Sequence, residues 1–291
     1  MTGSAGGGRY LDRLGDRIAS VGSVLCLGVD PDPRALPPGY AGDLAGVERF
    51  ATLLVEHAGP HAAAVKINLA FFEAWGSAGM AALERVRARV PPDLPFIADA
   101  KRGDIGSTSA RIADAIFDAL GADAITANPY LGADAIAPLL DRPDRFVYLL
   151  CRTSNPGAGE LQGLEVAADP ALGAPAEPLA FRVARLAATW ERHAGTVGLV
   201  VGATAPQELA AIRSLAPRLP FLVPGVGPQG GDAESALHAG PAAIPGDARP
   251  GGGLLVNVSR GIASAADGAA DPAAAISDAA TRWAASLQVL G

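Results

Sequence analysis

Eight short apolar runs recur along the chain, each followed by a polar or glycine-bearing turn. The runs lie at 24–30, 63–68, 96–101, 122–127, 145–151, 197–202, 221–226 and 254–259. Runs of β-branched and aliphatic residues without polar alternation are typical of parallel strands that are buried on both faces. Longer helical patterns fill the gaps. Eight strand–helix units therefore predict an α/β fold, a single (β/α)8 TIM barrel.

The gaps between the runs carry helical patterns at 47–57, 82–89, 108–120 and 179–193. An open doubly wound sheet is the alternative fold. It usually has a phosphate-binding fingerprint after its first strand, and the turn here reads V-D-P-D-P-R instead. We therefore predict one barrel domain over residues 11–291. The glycine-rich N-terminus, residues 1–10, is predicted to be disordered.

Charge and hydropathy exclude two classes of partner. The 291 residues carry a formal net charge of −7 and show no basic stripe with interleaved aromatic residues, so we expect no nucleic-acid binding. No apolar run reaches the roughly 18 residues of a membrane span, and the N-terminus lacks the apolar core of a signal peptide. A cytoplasmic location is the default expectation.

Cysteines and histidines show no metal-site or disulfide pattern. Cys26 and Cys151 both lie in apolar runs, which predicts two buried, reduced thiols. His57 and His61 have the spacing of a helical metal pair, but the Gly-Pro pair between them would break that helix. We therefore predict no bound metal.

The stretch 95–109, P-F-I-A-D-A-K-R-G-D-I-G-S-T-S, begins as an apolar strand and ends as a polar loop. Asp99 and Lys101 are two residues apart, so on a strand both side chains share a face. A glycine then allows a turn, and Asp104 follows. Buried charges are costly unless they are paired, so this cluster is either a structural ion pair or a functional site.

Lysine is rare in this chain. Of the 23 basic residues that are Lys or Arg, only Lys66 and Lys101 are lysines. Both lie in apolar, strand-like runs. Arginine is effectively always protonated, whereas lysine can release its proton. We infer that these positions need a compact ammonium group and that at least one of them needs a transferable proton.

Polar residues cluster at the C-terminal ends of the predicted strands, where the active site of a barrel lies. They are Asp30, Lys66, Asp99 and Lys101, the segment 152–155, and Asn257, Ser259 and Arg260, which Gly261 follows. The glycine-rich loop 224–232 and Arg260, with Gly261 beside it, follow strands seven and eight, the usual phosphate site of such barrels. This arrangement predicts a small phosphorylated metabolite as ligand. The irregular stretch 155–178 is long enough to be either functional or disordered.

The motif D-A-K-R-G-D-I-G-S-T resembles the Asp-x-Lys-x-x-Asp-Ile-x-x-Thr signature of the orotidine 5′-phosphate decarboxylase family. The R-G-D-I-G-S-T-S version is similar to the longer bacterial subgroup, type 2, and the resemblance covers about residues 24–262. It implies a charged array of Lys66, Asp99, Lys101 and Asp104. It further implies a ribose-binding Asp30, a pyrimidine-reading Ser154 and a phosphate-binding pair, Gln229 and Arg260. No family role could be given to Asn68 or to residues 164–178.

The resemblance also implies a homodimer, in which Asp104, Ile105 and Thr108 complete the site of the neighbouring subunit. The implied reaction converts orotidine 5′-monophosphate to uridine 5′-monophosphate without a cofactor. Lys101 would stabilise the ring carbanion and donate the proton, and Asp99 would hold Lys101 protonated and aimed.

Two other functions stay open at this point. A magnesium-dependent barrel like the hexulose-phosphate synthases shares the Asp-x-Lys-x-x-Asp pattern, but it has an acidic residue on strand two, where this chain has Lys66. A non-catalytic nucleotide-binding barrel is the third possibility.

Overall fold

Eight parallel strands close into a barrel. The computed structural model describes residues 9–193, 195–227, 230–243 and 249–289. Within them the barrel strands are β1 (Leu25–Val29), β2 (Ala64–Asn68), β3 (Phe96–Arg102), β4 (Ala124–Ala127), β5 (Phe146–Arg152), β8 (Val197–Val201), β9 (Phe221–Val223) and β10 (Leu255–Val258). Each pairs in parallel with the next, and β10 pairs with β1 to close the cylinder. The predicted (β/α)8 barrel is confirmed.

The apolar runs form strands because both of their faces are covered. All five residues of β1 and all five of β8 are buried. Such strands need no polar alternation, since helices cover the outside and packed side chains fill the inside. Cys26 and Cys151 are free, buried thiols within this core, as predicted.

Helices surround the barrel. They are α1 (Tyr10–Val21), α2 (Leu44–Ala58), α3 (Ala70–Glu73), α4 (Gly76–Arg87), α5 (Gly106–Ala113), α6 (Ala133–Leu140), α7 (Gly159–Gln162), α8 (Leu179–Trp190), α9 (Pro206–Leu215), α10 (Ala233–Ala239), α11 (Arg260–Ala263) and α12 (Pro272–Ser286). A π-helical turn, Asp114–Ala119, extends α5. Among the described residues, no helix is both long and apolar enough to cross a bilayer.

Helix α1 covers the N-terminal end of the barrel. Tyr10 is fully buried, stacks on Phe146 with ring centroids 4.8 Å apart, and shares a hydrogen bond between hydroxyl groups with Tyr148. The folded part of the chain therefore includes Tyr10, which the predicted boundary had assigned to a disordered tail. Residues 1–8 lie outside the described residues.

The long stretch after β5 is ordered. It contains α7 and an antiparallel hairpin of β6 (Glu165–Val166) and β7 (Glu177–Pro178). Glu177 is 5% exposed and accepts hydrogen bonds from Arg182 and Arg185 on α8. A buried carboxylate held by two arginines fixes the hairpin to the helix that follows it.

Candidate active site

Three charged side chains meet at the C-terminal end of the barrel. Lys66 Nζ donates to Asp99 Oδ2 at 2.7 Å, and Lys101 Nζ donates to Asp99 Oδ1 at 2.7 Å. Lys66 and Asp99 are buried, whereas 51% of the Lys101 side chain is exposed. The carboxylate therefore holds a buried ammonium on one oxygen and an accessible ammonium on the other. We call Lys66, Asp99 and Lys101 the Asp99 cluster.

Burial and neighbouring charges shift the pKa values of Asp99 and Lys66 in opposite directions. Burial alone would raise the pKa of Asp99, but the ammonium groups of Lys66 and Lys101 outweigh it and hold that pKa well below the usual range. Burial alone would lower the pKa of Lys66, but the carboxylates of Asp99 and Asp30 outweigh it and raise that pKa above the usual range. Asp99 and Lys66 are therefore both ionised at neutral pH.

The backbone around Lys101 departs from a regular strand. Four residue steps on β3, from Ala98 to Arg102, face only two steps on β4, from Ile125 to Ala127. Lys101 has a φ of 49°, the one positive φ outside glycine among the described residues. Simple alternation predicted that the side chains of the motif share a face, and the ion pair confirms this. Alternation along β3 did not predict the bulge, because the bulge depends on how β3 pairs with β4.

Asp104, Ile105 and Thr108 follow the Asp99 cluster along the chain. They occupy the loop after β3 and the first turn of α5, and the side chain of Asp104 accepts a hydrogen bond from the Ile105 N–H. Ile105 is 58% exposed and Thr108 is also exposed. The hydrogen bonds of Asp99 thus join three of the four residues predicted for the charged array, and the half-buried Asp104 is not among the partners that these bonds connect.

Strands β1 and β10 border the cluster on its other side. Asp30 follows β1, is partly buried, and raises the pKa of Lys66 through its charge. Asn257 on β10 is 8% exposed, and its Oδ1 is buried without a hydrogen-bond partner among the described residues. A Cβ atom at Gly28 would lie only 3.0 Å from this amide, so a larger residue at position 28 would crowd the Asn257 side chain. Strands β1 and β10 therefore place a carboxylate and an amide oxygen acceptor beside the Asp99 cluster.

The end of β5 is fixed by a side chain from α7. Gln162 Oε1 accepts a hydrogen bond from the Thr153 N–H at 2.9 Å, and Gln162 Nε2 donates to the Thr153 hydroxyl at 2.8 Å. The next residue, Ser154, packs against Gly202, where a Cβ atom would lie 3.0 Å from the Ser154 Cβ. The loop that carries Ser154 is therefore anchored from both sides.

The loops after β9 and β10 meet on Trp283 of α12. Its Nε1 donates to the Gly261 carbonyl at 3.1 Å, and a Cβ atom at Gly261 would lie 2.9 Å from that nitrogen. The indole also covers Gly227, whose φ is 88°. Arg260, at the start of α11, is exposed. Gln229, predicted to pair with Arg260, lies outside the described residues.

Sequence reasoning missed three side chains that organise this site: Thr126, Gln162 and Trp283. Thr126 is one of two polar residues in the run 122–127, a pattern that could have singled it out. Gln162 lies in an irregular stretch and Trp283 in a helix far from the motifs. Their contacts are non-local, and nothing in their immediate sequence indicates them.

Comparison with known proteins agrees with this geometry. A family model described as "Orotidine 5′-phosphate decarboxylase / HUMPS family" matches residues 23–276. The curated orotidine 5′-phosphate decarboxylase of Thermomicrobium roseum is 46% identical over 255 residues, which is 87% of this chain and 86% of that protein.

Solved structures are similar as well. The chain superposes on Leishmania donovani OMP decarboxylase with a TM-score of 0.75 and 41% identity, covering 93% of this chain and 95% of that one. It also matches Leishmania donovani UMP synthase with a TM-score of 0.78 and 41% identity, covering 96% of this chain. In that case the match spans only 56% of the longer chain.

Proposed function

The chain belongs to the orotidine 5′-phosphate decarboxylase family and decarboxylates orotidine 5′-monophosphate in UMP biosynthesis, and we propose that Lys101 carries the chemical step. The observation that supports this role is the Asp99 cluster. Asp99 binds two ammonium groups, and only that of Lys101 is exposed to the mouth of the barrel. Lys101 can therefore meet a substrate while it keeps its hydrogen bond to Asp99.

The reaction breaks the bond between the pyrimidine ring and its carboxylate. The electron pair of that bond stays on the ring carbon, carbon dioxide leaves, and the ring offers no adjacent electron sink. A fixed ammonium beside the carbon stabilises the developing charge, because it is oriented before the reaction begins. The Lys101 ammonium then donates a proton to the same carbon, which yields uridine 5′-monophosphate. This route uses no cofactor.

Asp99 and Lys66 prepare Lys101 for this task. The Asp99 carboxylate orients the Lys101 ammonium and limits its rotation through a 2.7 Å hydrogen bond. Lys66, which is 5% exposed, offsets the negative charge of Asp99 from inside the barrel. The same ion pair argues against a magnesium-dependent reaction, since an ammonium occupies the Asp99 oxygen that a metal ion would need.

The remaining site residues hold the rest of the substrate. We assign Asp30 to a ribose hydroxyl, Ser154 to the pyrimidine, and Gln229, Arg260 and Gly261 to the phosphate. Support comes from the anchoring of the Ser154 loop by Gln162 and from Trp283, which joins the loop after β9 to Gly261. Arg260 is exposed at the same end of the barrel, where its planar guanidinium can bind two phosphate oxygens.

A homodimer completes the site. Asp104 lies in the loop between β3 and α5 and is half-buried. Large apolar side chains on the two neighbouring loops after β3 and β4 are exposed: Ile105 by 58%, Tyr130 by 79% and Leu131 by 48%. An exposed apolar patch beside a predicted site residue favours a subunit interface. In this dimer Asp104, Ile105 and Thr108 reach the neighbouring substrate, and the assembly works in the cytoplasm, where Cys26 and Cys151 stay reduced.

Subunit exchange tests the reaction and the shared site together. The wild-type protein should release labelled carbon dioxide from carboxyl-labelled orotidine 5′-monophosphate, and a nucleotide-binding barrel without catalysis would not. Lys101→Ala and Asp104→Ala homodimers should both be inactive or nearly so. After random exchange, half of the dimers are mixed and each has one intact site, so about a quarter of all sites should recover.

The two parts of the proposal fail in different ways. If Asp104 acts within its own chain, every site keeps one defect, and no activity returns after exchange has been verified by differently tagged subunits. If Lys101 is not the chemical group, the Lys101→Ala homodimer is already active before mixing.

A further inference from the structure

The hydroxyl group of Thr126 lies at the centre of the bulge that carries Lys101. Thr126 is in β4 and is 2% exposed. Its Oγ1 accepts hydrogen bonds from the Ala100 N–H at 3.1 Å and from the Lys101 N–H at 3.0 Å. The same hydroxyl donates to Asp99 Oδ1 at 2.8 Å. One side chain therefore binds three consecutive residues of β3.

The bulge needs such a partner. Because β3 has two more residues than β4 across this interval, the regular ladder cannot pair all of its backbone groups. An unpaired backbone N–H in a buried position is costly, and a lysine at φ 49° is strained. The Thr126 hydroxyl accepts hydrogen bonds from the N–H groups of Ala100 and Lys101, so the strained backbone is held in one conformation.

The contacts form a closed ring through Lys101. The Lys101 N–H donates to Thr126, Thr126 donates to Asp99, and Asp99 accepts from the Lys101 ammonium. The hydroxyl thus controls both ends of the lysine, its main chain directly and its ammonium through the Asp99 carboxylate. A displacement of the Thr126 hydroxyl would therefore move both the main chain and the ammonium group of Lys101. Small displacements of a reacting group strongly reduce the rate of the chemical step.

We propose that Thr126 is a positioning residue for Lys101, which sets the lysine backbone in its left-handed conformation and aims the Asp99 carboxylate at the Lys101 ammonium. The proposal rests on the role of Lys101 given above. The competing interpretation is a structural one, in which Thr126 only satisfies buried polar groups and stabilises the barrel. The two differ in which kinetic parameter changes when the hydroxyl is removed.

The test compares Thr126→Val, which keeps the shape and removes the hydroxyl, with Thr126→Ser, which keeps the hydroxyl. Turnover of carboxyl-labelled orotidine 5′-monophosphate is measured as kcat and KM separately, with thermal unfolding of each variant alongside. Thr126→Val should lower kcat about 100-fold and change KM by less than about threefold. Thr126→Ser should keep kcat within about fivefold of the wild type.

Thr196→Val is the matched control. Thr196 is 1% exposed, precedes β8 at the opposite end of the barrel, and donates its hydroxyl hydrogen to the His193 carbonyl at 2.7 Å. Its removal should lower thermal stability and leave kcat unchanged. If Thr126→Val does not fold, Thr126→Cys takes its place, since a thiol is a weaker donor and acceptor than a hydroxyl. Its kcat should then fall well below that of Thr126→Ser.

Three results would overturn the proposal: a kcat of Thr126→Val close to that of the wild type, an equal loss of kcat in Thr196→Val, or a Thr126→Ser variant as impaired as Thr126→Val. If Thr126→Cys replaces the valine variant, a kcat equal to that of Thr126→Ser overturns it. Lys101→Ala is assayed in parallel. An active Lys101→Ala protein would instead reject the role of Lys101 itself, so the two failures are distinguishable.

Discussion

Two aspartates at opposite ends of the barrel each lie between two cations, yet they do different work. Asp99, at the C-terminal end, binds Lys66 and Lys101. Asp123, at the N-terminal end, binds Arg13 at 2.6 Å and Arg145 at 3.4 Å. Both carboxylates are buried, 8% and 6% exposed respectively. The two aspartates therefore have nearly the same exposed fraction and the same number of cationic partners. They differ in whether those partners are lysines or arginines.

The cations at the N-terminal end join distant parts of the chain. Arg13 comes from α1 and Arg145 precedes β5, and Asp123 also accepts a hydrogen bond from the Phe96 N–H at the start of β3. Arginine suits this role because its planar group makes several fixed hydrogen bonds and keeps its proton. Asp123 therefore ties α1, β3 and β5 together, and nothing in this cluster needs to move a proton.

The cations at the C-terminal end are the only two lysines of the chain. A lysine ammonium is compact and can transfer a proton, whereas an arginine guanidinium keeps its proton at neutral pH. Under the proposed mechanism, this barrel uses arginine where an ion pair holds the fold and lysine where the ion pair prepares a reaction. Each of the following variants tests that separation.

The largest effect is expected for Lys101→Ala. Turnover should fall by at least about 10⁴-fold, because both the charge stabilisation and the proton donor are lost. The free energy of unfolding should change little, since the Lys101 side chain is half exposed and sits on a strained backbone. Labelled carbon dioxide release and urea unfolding measure the two quantities. Arg89→Ala, which removes an exposed partner of Glu56, is the control and should change neither.

Lys101→Arg sharpens this test. It keeps the positive charge but not the transferable proton, so it should be nearly as inactive as the alanine variant. Substantial activity in the arginine variant would contradict the assignment of Lys101 as proton donor and would weaken the distinction between the two ends.

An intermediate effect is expected at the N-terminal end. Asp123→Ala should lower the free energy of unfolding by about 3–5 kcal/mol, because it leaves Arg13 and Arg145 without their shared carboxylate. The kcat per folded molecule should stay unchanged. Urea unfolding combined with active-site titration separates the two. Asp93→Ala, an exposed partner of Arg17, should cost about 1 kcal/mol or less. A loss of kcat in folded Asp123→Ala would show that the two ends are coupled.

The smallest effect is a pH dependence of stability. The pKa of Asp99 is raised by burial but lowered further by the two ammonium groups, so it lies below its value in the unfolded chain. Its stabilisation is fully present above the unfolded pKa of about 3.9 and is lost as pH falls towards the folded pKa. The pKa of Lys66 is raised, so its stabilisation is lost only in alkaline solution.

The stability advantage of the wild type over Asp99→Asn should therefore shrink as pH falls below about 4, by at most about 1.4 kcal/mol per pH unit. Urea unfolding of both proteins at about pH 5 and about pH 3 measures this difference. Other carboxylates titrate in both proteins and cancel. An advantage that grows on acidification would contradict the assigned direction of the Asp99 pKa.

The fold and the centre of the site were predictable from local patterns. The eight apolar runs correspond to the eight barrel strands, because strands buried on both faces must be apolar along their length. The pair of lysines beside Asp99 was visible as a composition anomaly and as a spacing of two residues. The boundary at residue 10 was placed too late, because Tyr10 becomes buried only when α1 covers the end of the barrel.

By itself, the sequence determined the barrel and the identity of the charged residues at its mouth, since both follow from side-chain chemistry repeated along a strand. The tertiary structure alone decided the bulge in β3, the left-handed Lys101 and the hydroxyl of Thr126 that binds both. It likewise decided that Trp283 joins two loops. The physical reason is that these features depend on hydrogen bonds and contacts between neighbouring strands and distant helices. Those pairings exist only once the barrel has closed, and no local pattern specifies them.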